Sequence, residues 1–328
     1  VYKRQHMERI LTGIQSTGVP HLGNLLGAIL PAIKKSHENT NAFLFIADLH
    51  SLTQIKDAEI LKKNSLSTAS AWLAFGLNPN NVCFYRQSDV PQVTELAWYL
   101  SCFFPFSRLS LAHSFKDKSS RFIDVNAGLF SYPMLMAADI LLYDADVIPV
   151  GKDQLQHIEM ARDVASRVHT KYGEVFKLPR ALLNSQTNYI LGTDGTKMSK
   201  SNNNIIDIFC DENDLYKQIM SISTSSTPLN EPKNPEDCTV FHLYSLISNK
   251  NEINHLKNHY LSGGYGYGDA KKLLFNKILV KFENERRKYN EFNQNPNKVE
   301  SILLKGAKKA SQVGDEVLNR FRKKLGFN

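Results

Sequence analysis

Short apolar runs alternate with longer amphipathic ones through the first half of this chain, and that alternation limits the folds open to it. RILTGIQ (9–15), AFLFIADL (42–49), NVCFYRQS (81–88) and DVIPVG (146–151) are brief and bounded by turn residues, so they read as buried strands. The stretches between them, HLGNLLGAILPAIKKSHE, DAEILKKNSLSTASAWLAFGL, PQVTELAWYLSCFF and YPMLMAADILLYDA, carry apolar residues at helical spacing. This order predicts an α/β fold, a doubly wound parallel sheet with helices on both faces. Ligands of such sheets bind beyond the carboxyl ends of the strands, so the residues that follow each run are the first candidates for a site.

After Asn204 the apolar runs turn helical, in DENDLYKQIMSI, VFHLYSLISN, DAKKLLFNKILVKFENERRKY and KVESILLKGAKKASQVGDEVLNRFRKKL. The Ser- and Pro-rich STSSTPLNEPKNPEDC (223–238) between two of them reads as a loop. At 328 residues the chain exceeds what one core usually serves. The expected division is a sheet-bearing unit over 7–191, a polar loop over 192–204, and a mostly helical region over 205–328 whose last helix can return to the first unit. Residues 1–6 fit no periodic pattern.

With 42% hydrophobic and 22% charged residues, the composition is that of a soluble globular protein. No apolar run approaches the roughly 20 residues of a membrane span, and no signal-peptide pattern opens the chain, so a cytoplasmic protein without membrane contact is expected. Cys83, Cys102, Cys210 and Cys238 lie far apart with no C-x-x-C pair, which fits reduced thiols better than a zinc site or a disulfide framework. The net charge of +8 is uneven: from Lys271 onward fifteen Lys and Arg stand against six Asp and Glu. Such a tail suits a phosphate backbone, and equally a solvated lysine-rich helix.

Three stretches could carry chemistry. GTDGTKMSKSNNN (192–204) is polar apart from Met198 and alternates two lysines with two serines on a flexible loop, an arrangement of no use to a core. The first strand ends in GIQSTGVPHLGNLLG, a glycine-spaced turn entering a helix, where unpaired N–H groups and the helix dipole favour an anion. There His21 and Asn24 share a helical face, and Gly23 would let a flat ligand approach the backbone. A polar turn with capping residues explains this segment as well as a ligand site does, and the spacing is not G-x-G-x-x-G, so a dinucleotide fold is not indicated. Asp139 interrupts the apolar MLMAADILLY; facing the core it needs a partner, and facing outward it is an ordinary helix residue. His50, directly after a strand in ADLHSLT, taken alone reads as a structural histidine.

HLGN near the N-terminus, paired with an unbroken KMSKS near position 200, resembles the two signatures of the class I aminoacyl-tRNA synthetases. GIQSTGVPHLGNLLGAI, YPMLMAADILLYDADVIPVGKDQLQHIEMARD, TKMSKSNNN and GGYGYGDAKK are similar to the bacterial tryptophanyl-tRNA synthetases, over nearly the whole chain after Met7. The resemblance implies a Rossmann-like catalytic domain and a helical anticodon-binding region. It implies activation of L-tryptophan by ATP with Mg2+, transfer to tRNA(Trp), and a homodimer.

Residue by residue, the resemblance implies that Lys197 and Lys200 stabilise the departing phosphates, with His21 and Asn24 acting beside them. Gln15, Ser16, Thr17, Gly23, Asn24, Gly151, Lys152, Asp153 and Ile190 would line the ATP site with Met198, Ser199 and Ser201, and Lys118 would be a further phosphate-directed lysine. Asp139 would read the indole N–H, a donor without acceptor capacity. Met136, Ile148 and Val150 would form the apolar wall around tryptophan, with Gly13, His50 and Gln154 at its edge. The 192–204 loop would close over the triphosphate as a lid. This chain departs from relatives at Leu11, where they carry an aromatic residue, at Leu25, where they carry tyrosine, and at Ser16, where proline is common. The alternatives are a tyrosyl-tRNA synthetase, or a nucleotidyltransferase that adenylates a small acid without tRNA.

Overall fold

The computed structural model describes residues 8–38, 41–112, 125–183 and 189–327. Five parallel strands form one sheet: β1 (Ile10–Ile14), β2 (Ala42–Ile46), β3 (Cys83–Arg86), β4 (Val147–Val150) and β5 (Arg180–Leu183), in the order β3-β2-β1-β4-β5. The first four lie within the expected runs. RALL, which forms β5, lies outside them, because at the sheet edge it is only partly buried and shows no strand signature.

Strand β2 is buried along its whole length, and its alternation explains why. Leu44 and Ile46 point into one hydrophobic cluster and Phe43 and Phe45 into another, so a core lies on each face of the sheet. The first cluster runs on through Met198 and Ile206 into Tyr260, Leu274 and Ile278, so the helical second half shares a core with one sheet face. The second takes in Ala310 and Phe321 of the last helix.

That last helix, Pro296–Leu325, runs back along the edge strand β3. A Cβ on Gly306 would stand 1.7 Å from the Phe84 carbonyl oxygen, so only glycine allows this approach, and the Cys83 thiol donates to the Gly306 carbonyl at 3.3 Å. The helix thereby covers a strand edge that would otherwise be open to pairing. Helices Leu155–Tyr172 and Lys250–Ser262 lie outside the expected runs, and the expected single run from Asp269 to Tyr289 is two helices, Tyr267–Lys281 and Glu283–Gln294, broken at the buried Phe282. All four cysteines are free. Among the described residues no helix is long and apolar enough to cross a membrane.

Candidate active site

The strand order reverses between β1 and β4, and an open cleft of about 1500 Å³ lies at that switch point. Gln15 and Thr17 after β1, and Gly151 and Lys152 after β4, form two of its walls. His21, Gly23 and Asn24 form its floor, and Ile190, Lys197, Met198, Ser199, Lys200 and Ser201 its third side. Two segments far apart in the chain therefore meet in one cleft. Gln54, Ile55, Leu183 and Tyr189 also line the cleft and carry no sequence signal that marks them for it.

The floor is built by capping. The His21 Nδ1 accepts the Asn24 backbone N–H at 3.2 Å, and the Asn24 Oδ1 accepts the His21 N–H at 3.3 Å, a reciprocal cap at the start of Leu22–Asn24. Because Nδ1 is the acceptor, the neutral ring carries its proton on Nε2. Burial and the neighbouring Lys200 charge lower the His21 pKa to about 4, so the ring is neutral at physiological pH. A π-helical turn, Leu25–Ile29, follows, and Pro31, two residues beyond it, lacks a helical N–H.

The polar loop is a compact, internally bonded turn. Asn204, which is 1% exposed, accepts the Ser199 N–H at 2.7 Å and donates to Asp194, Thr196 and the Lys197 carbonyl. Met198 is buried: its N–H donates to Ile190, and its sulfur accepts the Gly23 N–H at 3.2 Å, which ties KMSKS directly to HLGN. Lys197 rests with Nζ 4.7 Å from the centre of the Tyr189 ring. Lys200 folds inward so that its Nζ would lie 2.9 Å from a Cβ on Gly18, whose φ of +130° also favours glycine. Burial lowers the Lys200 pKa to about 8, against the opposing pull of Asp207.

Asp139 faces inward on the helix Ala127–Leu141, which settles the ambiguity left by its sequence pattern. Gln87 Nε2 donates to its two oxygens at 2.7 and 2.9 Å, and His50 Nε2 lies 2.9 Å from Oδ2. Gln87 is itself oriented, because its Oε1 accepts the Leu49 N–H at 3.2 Å. Burial pushes the Asp139 carboxyl above its ordinary range, while the bonds from His50 and Gln87 pull it back. Of about four acceptor positions on a carboxylate three are taken, which leaves one on Oδ1. Tyr132, whose hydroxyl lies 2.9 Å from His157 Nε2, sets its ring edge-on to His50 at 6.1 Å. Sequence reasoning missed Gln87 and Tyr132, although Gln87 follows the end of a predicted strand, where the sheet rule directs attention.

The remaining expected residues divide clearly. Ile148 is buried, and Met136, Val150 and Gln154 are half-buried. Gly13 is exposed beside the Phe45 ring, which occupies the space a Cβ would need. The Ser16 side chain does not line the cleft as expected: it is fully buried, with its Oγ 3.2 Å from both Ser51 Oγ and Ser65 Oγ, since a hydroxyl under the turn needs partners. Leu11 and Leu25 are core residues on either side of the sheet. Lys118 and the Asp153 side chain lie outside the described residues.

A family model for class I tRNA synthetases of the tryptophan and tyrosine group matches residues 3–283. The tryptophan–tRNA ligase of Campylobacter jejuni is 45% identical over 319 residues, covering 97% of this chain and 100% of that one. That of Fusobacterium nucleatum is 45% identical over 322 residues, covering 98% of each. The chain belongs to the tryptophan–tRNA ligase family of class I tRNA synthetases. A solved member of this family, the Campylobacter jejuni tryptophanyl-tRNA synthetase complexed with ADP and tryptophan, superposes with a TM-score of 0.93 at 44% identity, covering 97% of this chain and 100% of that one.

Proposed function

We propose that this protein activates L-tryptophan with ATP to tryptophanyl-adenylate and transfers the tryptophanyl group to tRNA(Trp), releasing pyrophosphate and AMP. The observation that carries the reading is the direct contact of KMSKS with HLGN, through Met198 and Gly23, in a cleft at the switch point of the sheet. The family assignment supports it.

In this reading the tryptophan carboxylate attacks the α-phosphorus of ATP, the bond from that phosphorus to the β-bridging oxygen breaks, and pyrophosphate leaves. Little covalent work falls to the protein, so positioning and charge carry the step. Lys197 and Lys200 would meet the negative charge that builds on the leaving group, and neutral His21 would donate from Nε2 to a phosphate oxygen. Asp139, with its free acceptor position, would take the indole N–H. A tyrosine-selective site is disfavoured by this chemistry, because Gln87 donates to both oxygens of Asp139 and, with His50 Nε2 as a further donor at 2.9 Å, Asp139 would offer the ligand an acceptor. Among the described residues no group of three or more His, Cys, Asp or Glu side chains could hold a metal ion, so they offer no cage for the Mg2+ that a triphosphate implies. Among the described residues, the positive charge that lines the cleft is that of Lys152, Lys197 and Lys200.

The exposed face of the last helix, with Lys305, Lys308, Lys309, Lys323 and Lys324, would meet the tRNA backbone. Trp98 and Phe106, exposed on neighbouring helices, suit the second subunit of a homodimer. A cytoplasmic location belongs to the same proposal, as the site of protein synthesis. The test is ATP–pyrophosphate exchange with each of the twenty amino acids. Strong exchange with tryptophan alone is expected, and equal or greater exchange with any other amino acid would overturn the assignment.

A further inference from the structure

We propose that Asn204 is a positioning residue for adenylation, holding the backbone between Lys197 and Lys200 so that both ammonium groups reach the triphosphate together; this rests on the function proposed above. The Asn204 amide spans the lysine-bearing turn. Its Oδ1 accepts the Ser199 N–H at 2.7 Å, and its Nδ2 donates to the Lys197 carbonyl at 3.0 Å, so one side chain grips the backbone on both sides of Met198. The same Nδ2 reaches Asp194 Oδ1 at 2.8 Å and Thr196 Oγ1 at 3.1 Å, which closes the base of the turn.

The surroundings are shaped for this amide. A Cβ on Gly192 would stand 2.4 Å from it, so glycine is what admits the side chain. Asn203, just before it, adopts the left-handed conformation with φ of 51°, and the Asn204 carbonyl accepts the Thr193 N–H at 2.9 Å. All these side-chain bonds fall between residues 194 and 204, so their loss would loosen the turn that carries the lysines without touching the sheet or Asp139. A buried amide whose donors and acceptor are all engaged within one turn is costly to leave unpaired, and so fixes one geometry of that turn.

The experiment is tryptophan-dependent ATP–pyrophosphate exchange, measured beside tryptophan binding and thermal unfolding, on the parent and four variants. In the parent, absence of exchange would overturn the function and the role of Asn204 with it. With exchange present, N204A should lower kcat roughly 100-fold, the scale of an ångström-level misplacement, while the Kd for tryptophan stays at the parent value. G192A, which displaces the same amide from the other side, should reproduce that loss even if N204A does not fold. N204D sets two carboxylates together, and adding D194N should restore a donor–acceptor pair and recover about tenfold in kcat or more. Parent-level kcat in folded N204A or G192A would overturn the proposal. So would a loss of tryptophan affinity as large as the loss of kcat.

Discussion

Asp139 and the two loop lysines hold their charges in opposite ways. Asp139 is buried on a helix, with Gln87 and His50 bonded to it and Gln87 held in turn by the Leu49 N–H. Lys197 and Lys200 stand on a turn, and among the described residues neither makes a salt bridge: one ammonium lies over an aromatic ring, and the other is half-buried beside Gly18. A neutral indole N–H is best read by an acceptor fixed before the ligand arrives, because a rigid, desolvated acceptor discriminates between partners. Charge that develops on a leaving pyrophosphate is better met by long cationic side chains that can follow it. The difference teaches that only the backbone beneath the lysines is preorganised, and that the lysines themselves keep their reach.

The sharpest way to break the comparison is to remove a lysine. K197A or K200A should lower the adenylation rate by about two orders of magnitude, as for a lost oxyanion-type donor, with tryptophan binding nearly unchanged. Single-turnover formation of the adenylate would measure this, and an unaltered rate would remove the assigned role. At the other end, D139A should weaken tryptophan by roughly 10- to 100-fold, the scale of a hydrogen bond to a charged group, with a smaller effect on the KM for ATP. Equilibrium titration with tryptophan checks it, and equal affinity in variant and parent would contradict it.

The protonation states give a finer test. With a pKa lowered to about 8, Lys200 loses its charge as pH rises through that value in the free enzyme. The kcat/KM for ATP should therefore fall above about pH 8, and in K200R the fall should move to higher pH, since a guanidinium stays charged. His21, with a pKa lowered to about 4, should contribute no change between about pH 6 and 8. The smallest expected effect lies furthest from the cleft. Neutralising several lysines between Lys305 and Lys324 should make tRNA binding less dependent on salt, lowering the slope by about one for each phosphate no longer neutralised, and an unchanged slope would move the tRNA surface elsewhere.

Much of the fold was legible because burial on two faces leaves a periodic trace. The runs around Ile10, Ala42, Cys83 and Val147 all became strands, whereas RALL at the sheet edge was too exposed to announce β5. The signature stretches pointed to the cleft, yet Ser16 turned under it, and the 192–204 loop is internally bonded around Asn204. Nothing in NNN distinguishes its third asparagine from the other two.

Taken by itself, the sequence determined the alternation of strands and helices, the two signature segments, the carboxylate inside an apolar run and the basic tail, because each depends on neighbours a few residues away. Tertiary structure alone decided which way Asp139 faces, that Gln87 and His50, 52 and 89 residues away, are its partners, and that the last helix lies on β3 through Gly306. Hydrogen bonds act over about 3 Å in space and are blind to separation along the chain, so partners this distant leave no periodic mark in the sequence.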